Sequence, residues 1–175
     1  MCIRDSISTA DVSAFRSASG LSTTNLPITV HEGADPGSPT CTTNACSPND
    51  GDVDESSIDV EWSGAMAPSA TLLFVNGVDV LANSLTQAID QDLAPILTLS
   101  YGNCEAAWGS TEMNMYNQLF KQANAQGQTI LAAAGDVGAT DCDAGTSAIE
   151  GLTVDFPSAS PYVTSMGGTQ FSTTS

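Results

Sequence analysis

The chain of 175 residues carries 20 acidic side chains against three lysines and arginines and one histidine, a net charge of −17. So negative a protein repels phosphate backbones, which excludes nucleic acid as a partner, and no stretch approaches the roughly 18 apolar residues of a membrane helix. The length fits one soluble globular domain. The composition suits acidic surroundings, where roughly half of the carboxylates are neutral at pH 3–4, but it fits an ordinary acidic protein equally well.

The five cysteines show neither a Cys-x-x-Cys pair nor a nearby histidine, so the sequence predicts no zinc site. Cys41 and Cys46 could close a small loop, and Cys104 and Cys142 each follow an apolar run, where two adjacent strand-end loops could meet. Two disulfides, with Cys2 left over, fit an oxidising compartment and predict a secreted protein. Free thiols are the alternative.

The first six residues have no apolar core and no cleavage pattern, so they do not resemble a signal peptide. They fit poorly with the rest of the chain. We therefore set residues 1–6 apart as an extraneous segment and assign residues 7–175 to one partial domain.

The first predicted elements are a helix and a strand. Ser8 or Thr9 can cap a short helix over residues 11–16, and Gly20 is placed to stop it. Residues 26–30 are predicted to form a strand.

The next helix is predicted over residues 54–67, after a polar loop over residues 32–54 that is rich in Gly, Pro, Asn and Thr. Asp54 is the expected N-cap, and Pro68 ends the run. Positions i, i+4, i+7 and i+8 form one apolar stripe, typical of an amphipathic helix: Ile58, Trp62, Ala65 and Met66.

Short apolar runs alternate with helical patterns in the rest of the chain. Three of the runs are predicted to be strands buried on both faces, as in a parallel sheet, and each gap leaves room for a right-handed crossover. The fold class is therefore α/β, a mainly parallel sheet with helices on both faces. The apolar runs are residues 72–75, 96–99, 130–134 and 162–164, and the helices are residues 80–91 and 111–126.

Binding sites in such sheets form at the carboxyl ends of the strands. Small residues with one carboxylate are expected there, because backbone can approach a ligand closely. The predicted strand ends are Ser100-Tyr101-Gly102, Ala134-Gly135-Asp136 and Met166-Gly167-Gly168.

Three carboxylates are candidates for chemistry. Glu55 and Asp59 are four residues apart on the predicted helix, so they share a face and can form a coupled pair that acts as a general base with an orienting partner. Asp136 follows an apolar strand, where burial should raise its pKa so that it can donate to an oxyanion. The alternatives are a solvated acidic face for the pair and a turn aspartate for Asp136.

Four segments, together with the predicted helix over residues 11–16, match one family pattern in order, from about residue 7 to residue 170. Residues 55–68 have Glu, three residues, Asp and a helix ending in Ala-Pro, and residues 96–102 end in Leu-Ser-Tyr-Gly. Residues 133–138 are Ala-Ala-Gly-Asp-Val-Gly. Residues 156–169 contain Phe-Pro-Ser-Ala-Ser-Pro-Tyr-Val and then Gly-Gly-Thr. These segments resemble the sedolisin family of serine-carboxyl peptidases.

The resemblance implies a truncated subtilisin-like fold and hydrolysis of polypeptide substrates at acidic pH. It makes Glu55 the general base, Asp59 its orienting partner and Asp136 the protonated acid that stabilises the oxyanion. It also implies a propeptide in the full-length protein, and we expect a monomer. The strand end that would bind an extended peptide comprises Ser100, Tyr101 and Gly102.

The nucleophile is the main departure from the family pattern. A Ser-Gly-Thr-Ser-x-x-x-Pro segment is expected well downstream, and the chain ends at Ser175. Ser147 follows Gly-Thr, but Ala144 replaces the first serine and no proline follows at the expected place, so we do not assign Ser147 as the nucleophile. The calcium that the family implies would have its ligands outside this chain. The chain alone is not expected to turn over substrate.

Two alternatives remain. A catalytically inactive peptidase homologue is one, because the decisive serine lies outside this chain. A calcium-binding α/β module is the other, although Glu55 stands at the sixth place of the EF-hand-like segment, where the turn requires Gly, and no helix precedes it. The acids that imitate the loop are Asp50, Asp52, Asp54 and Glu61.

Overall fold

The computed structural model describes residues 7–33, 50–143, 147–149 and 151–169, with the backbone alone at residues 2–3 and 50–52. The chain divides into two compact units, Met1–Leu97 and Thr98–Ser175. None of the described helices is both long and apolar enough to cross a membrane.

The first unit is built on a three-stranded parallel sheet in the order β1-β3-β2. Val75 in the central strand is in register with Val30 on one side and Cys2 on the other. Its elements are β1 (Cys2–Ile3), α1 (Thr9–Ala18), β2 (Ile28–His31), α2 (Asp50–Met66), β3 (Leu73–Asn76), a π-helical segment (Val80–Leu85) and α3 (Thr86–Asp90).

Helix α1 confirms the predicted helix and its cap. The Ser8 hydroxyl accepts a hydrogen bond from the backbone N–H of Asp11 at 3.2 Å, which satisfies one of the free donors of the first turn. The helix ends at Ala18, and Gly20 follows with φ of 70°, a backbone conformation that favours glycine.

Helix α2 differs from the prediction in its start and in its buried face. It begins at Asp50, so Asp54 is not its N-cap. The predicted apolar stripe does not face the core, because Ile58, Trp62 and Met66 are 50%, 60% and 82% exposed. The buried positions are spaced four residues apart instead and are mostly small: Ser56, Val60 and Gly64.

The reason for this buried face is helix α1. Val60 packs with Val12 and Phe74 in the core of the first unit. A Cβ on Gly64 would lie 3.0 Å from Nη1 of Arg16, closer than most real Cβ contacts, so glycine here leaves room for the guanidinium where it lies. Trp62 covers the edge of the Phe15 ring, with centroids 6.1 Å apart.

A second sheet has the order β4-β6-β8, in which β6 and β8 are parallel, and β5 and β7 form an antiparallel pair. Except for the first two residues of β4, these strands belong to the second unit. Trp108, Tyr116, Phe120 and Phe156 form an aromatic cluster in this unit, in which the centroids of contacting rings are 5.1–6.4 Å apart. The strands are β4 (Ile96–Leu99), β5 (Asn103–Cys104), β6 (Thr129–Ala133), β7 (Asp155–Phe156) and β8 (Thr164–Met166), and the helices are a 3₁₀ turn (Glu105–Ala107) and α4 (Ser110–Gln126).

The α/β class is confirmed, with three local corrections. The helix predicted over residues 80–91 is a π-helical segment followed by α3, and of the apolar run over residues 162–164 only Thr164 belongs to a strand. Strand β3 is buried at Phe74–Asn76, as predicted for a strand covered on both faces, but β4 and β6 alternate between buried and more exposed positions. Ile96, for example, is 63% exposed.

Candidate functional site

The first group of predicted site residues lies on α2 in the first unit. Glu55 and Asp59 are both half-buried. Because the helix is unbroken from Asp50 to Met66, these carboxylates, four residues apart, lie on one face as predicted. The same continuous helix excludes the EF-hand-like loop, which would need a turn at Glu55.

The second group follows strand β6 in the second unit. Ala134 extends the pairing with β8 by donating its N–H to the Met166 carbonyl at 2.9 Å. Gly135 then turns the chain with φ of 115°, a conformation that side-chain-bearing residues rarely adopt. The turn leaves Asp136 exposed, so the predicted burial of this carboxyl at the strand end is wrong.

The third group, the predicted peptide-binding strand end, directly follows β4. Ser100 and Gly102 are half-buried, and Tyr101 is 43% exposed. A Cβ on Gly102 would lie 2.7 Å from Oδ2 of Asp155, so this position accepts only glycine without movement of its neighbour. The small residue expected at this strand end is therefore required by the packing of a carboxyl.

Asp141 and Asp155 are not among the sequence-predicted site residues, yet their carboxyl groups are joined by a hydrogen bond in the second unit. Burial, the hydrogen bond to Asp141 and the charges of Asp141 and Asp136 raise the pKa of Asp155 to about 7. The pKa of Asp141 is lowered, mainly by the Val137 N–H, which donates to its Oδ1 at 2.9 Å. The sequence signal was an aspartate between Val154 and Phe156, an apolar setting for a carboxyl.

A disulfide closes this region. Cys104 and Cys142 are bonded, with Cα atoms 4.9 Å apart, which is the pairing predicted from the sequence. Cys41 and Cys46 lie outside the described residues. Ser147, the serine that we did not assign as nucleophile, is exposed in the loop that follows Cys142.

The three groups thus fall in two units. Glu55 and Asp59 belong to the first unit, whereas residues 100–102 and Asp136 belong to the second. Within the second unit Gly102 contacts Asp155, Asp155 contacts Asp141, and Asp141 contacts the Gly135 turn. The joint action of the acids on α2 with Asp136 stays a prediction.

Comparisons with known proteins agree on one family. No family model matches the chain. Kumamolisin from a Bacillus species is 40% identical over 127 residues, which cover 69% of this chain and 22% of the relative. Sedolisin from a Pseudomonas species is 31% identical over 173 residues, 94% of this chain and 28% of the relative.

A solved structure shows the same likeness. Pseudomonas sedolisin, a serine-carboxyl proteinase, superposes with a TM-score of 0.74 and 26% identity over 99% of this chain and 48% of the solved chain. The chain spans 22% and 28% of the two curated relatives, roughly a quarter of their length. From these likenesses, the chain belongs to the sedolisin family of serine-carboxyl peptidases and has their subtilisin-like α/β fold.

Proposed function

We propose that the full-length protein hydrolyses peptide bonds at acidic pH by serine-carboxyl chemistry. The observation that carries the proposal is the 31% identity to Pseudomonas sedolisin over 94% of this chain. Two local features support it: α2 holds Glu55 and Asp59 on one face, and the turn after β6 exposes the carboxyl of Asp136.

The proposed reaction begins with a serine hydroxyl supplied from outside this chain. Glu55 accepts the hydroxyl proton as the oxygen attacks the substrate carbonyl, and Asp59 orients Glu55. Asp136, protonated, donates a hydrogen bond to the oxyanion that forms. Glu55 then passes the proton to the leaving amine, and water hydrolyses the acyl-enzyme by the same steps.

The roles of the acids set the pH range. Asp136 must keep a proton to donate, while the Glu55–Asp59 pair must keep one negative charge to accept one. A histidine base would be protonated under such conditions, whereas carboxylates titrate in the required range. Acidic pH is therefore part of the proposal.

Replacing each acid by its amide tests these roles in the full-length protein. We expect Glu55→Gln, Asp59→Asn and Asp136→Asn each to lower kcat on a peptide substrate by about 100-fold or more, with the fold unchanged by circular dichroism. Asp54→Asn is the matched control, because it removes an exposed carboxylate from the same helix. An undiminished kcat in the Glu55 variant at acidic pH would refute its role.

The remaining expectations belong to the same proposal. The Cys104–Cys142 disulfide supports secretion, and the substrate would be a polypeptide bound along residues 100–102. A propeptide and a monomeric state are proposed for the whole protein. For calcium, no group of three or more His, Cys, Asp or Glu side chains in the described part of the chain is arranged as ligands, so no step above involves the ion.

A further inference from the structure

The turn that exposes Asp136 is held by a carboxyl rather than by the backbone alone. A Cβ on Gly135 would lie 2.1–2.2 Å from the carboxyl atoms of Asp141, so this carboxyl occupies the space that a side chain would need. The same carboxyl accepts the N–H of Val137 at 2.9 Å. Asp141 therefore contacts the turn on both sides of Asp136.

Strand β7 holds Asp155 against the same turn. The Asp155 N–H donates to the Ala134 carbonyl at 3.0 Å, and its side chain packs on Gly102. Nearby, the Thr153 N–H donates to the Ala139 carbonyl at 3.1 Å, and the Cys142 N–H to the Thr153 hydroxyl at 3.0 Å. These bonds and the disulfide fix the loop that carries Asp141 beside β7.

A hydrogen bond between two carboxyl groups requires one proton, because two carboxylates have no donor. We propose that Asp141 and Asp155 share this proton and thereby position the Gly135–Val137 turn, and that the turn loosens when the proton leaves. Asp141 and Asp155 are positioning residues here. The inference concerns the turn itself; only its consequence for Asp136 rests on the proposed function.

Within the described part of the second unit, no basic residue is among the groups that act on Asp155. Within Thr98–Ser175 the sequence holds one basic residue, Lys121, whose Nζ lies 5.1 Å from the centroid of the Tyr162 ring. The other charge acting on Asp155 besides Asp141 is that of Asp136, which is also negative. The other titratable groups of the flanking segments are Tyr101, Glu105, Asp143 and the disulfide-bonded Cys104 and Cys142.

The direction of the pH effect follows from the shift at Asp155. Its pKa rises from 3.8 to about 7 in the structure, so the folded turn binds a proton that the opened turn has released. This contribution to stability is full below pH 3.8, declines as pH rises, and is lost above about pH 7. The turn should thus be most firmly held in acid.

Hydrogen exchange measured by mass spectrometry tests, in the full-length protein, whether the shared proton holds the turn. After correction for intrinsic exchange, we expect the protection of residues 134–143 to fall about tenfold or more from pH 5 to pH 8. Residues 129–133 in β6 should not follow that change. Asp155→Asn should keep protection at both pH values, because an amide can donate to Asp141 without titrating.

Two further variants complete the test. Asp155→Ala should lose protection at pH 5, and exchange in β6 shows whether the unit stays folded. Glu105→Gln, which removes an exposed carboxylate from the segment after β5, should behave as the unchanged protein does. Equal protection at pH 5 and pH 8, or an unaltered pH response in Asp155→Asn, would overturn the shared proton. None of these outcomes depends on peptidase activity.

Discussion

The two units stabilise a charged side chain in opposite ways. In the first, Arg16 is 1% exposed, and its guanidinium donates to the carbonyls of Ser22, Gly64 and Pro68 at 2.6, 3.4 and 3.3 Å. In the second, Asp155 lies beside Asp141, and we propose that the two carboxyl groups share a proton. One charge is retained and satisfied by backbone carbonyls, and the other is removed by protonation.

The difference has a consequence for pH. An arginine stays charged at every pH at which proteins fold, so the Arg16 contacts should not respond to acid. The contact between Asp141 and Asp155 needs its shared proton, which leaves as the pH rises. The first unit should therefore keep this support across the pH range, whereas the second loses a local contact near neutral pH.

The largest expected effect comes from breaking the Arg16 contacts. Arg16→Met should destabilise the first unit by about 3 kcal/mol, because it removes a donor from three carbonyl oxygens, of which that of Gly64 is buried. Two of these, Gly64 and Pro68, lie at the end of α2 or just beyond it. Denaturant unfolding at pH 5 and pH 8 measures the loss, which should be equal at both.

Arg16→Lys is the matched variant for this prediction. Lysine keeps the charge but cannot donate to three carbonyls from a planar group, so an intermediate loss is expected. A loss below about 1 kcal/mol for Arg16→Met would contradict the role of these bonds.

The next effect concerns the turn in the second unit. Gly135→Ala should cost about 2 kcal/mol, since it combines an unfavourable φ of 115° with a collision against the Asp141 carboxyl. Gly138→Ala is the control on the same loop: its φ is 81°, but nothing lies within 4 Å of the added Cβ. Its cost should be about 1 kcal/mol. Equal losses for the two variants in thermal unfolding would argue against the Asp141 contact.

The range of each sequence signal along the chain explains which parts of the fold and the site could be predicted. Apolar runs and the Ser8 cap are short-range signals, so the α/β class, helix α1 and the strand ends followed from the sequence. Glu55 and Asp59 needed only helical spacing to be placed on one face. Asp141 and Asp155 could not be paired in this way, because their contact depends on a loop folding back along β7.

The prediction of the buried face of α2 was wrong for a related reason. Hydrophobic periodicity selected Ile58, Trp62 and Met66, the largest side chains on the helix. The neighbouring helix needs small residues, since Gly64 makes room for the Arg16 guanidinium. Burial was decided by the volume available beside α1, which hydropathy does not measure.

The smallest expected effect concerns a pair of neighbouring acids in the first unit, which can be compared with the pair in the second. Glu61 on α2 has a raised pKa, caused first by burial and then by the negative charge of Asp11 on α1. The causes of the pKa shift at Glu61 include no hydrogen bond to Asp11, unlike those at Asp155. The stability linked to Glu61 is full below its ordinary pKa of 4.5 and is lost as pH rises through the raised value.

Glu61→Gln should therefore stabilise the first unit at neutral pH by about 0.5 kcal/mol or less, because solvent screens a partly exposed charge. The gain should vanish below pH 4, where the glutamate is already neutral in both states. Unfolding free energies at pH 3.5 and pH 7 measure it, with Asp54→Asn as the exposed control on the same helix. A gain of equal size at both pH values would show that the amide acts by packing. It would also show that the like charges of Glu61 and Asp11, without a shared proton, do not make the unfolding free energy depend on pH.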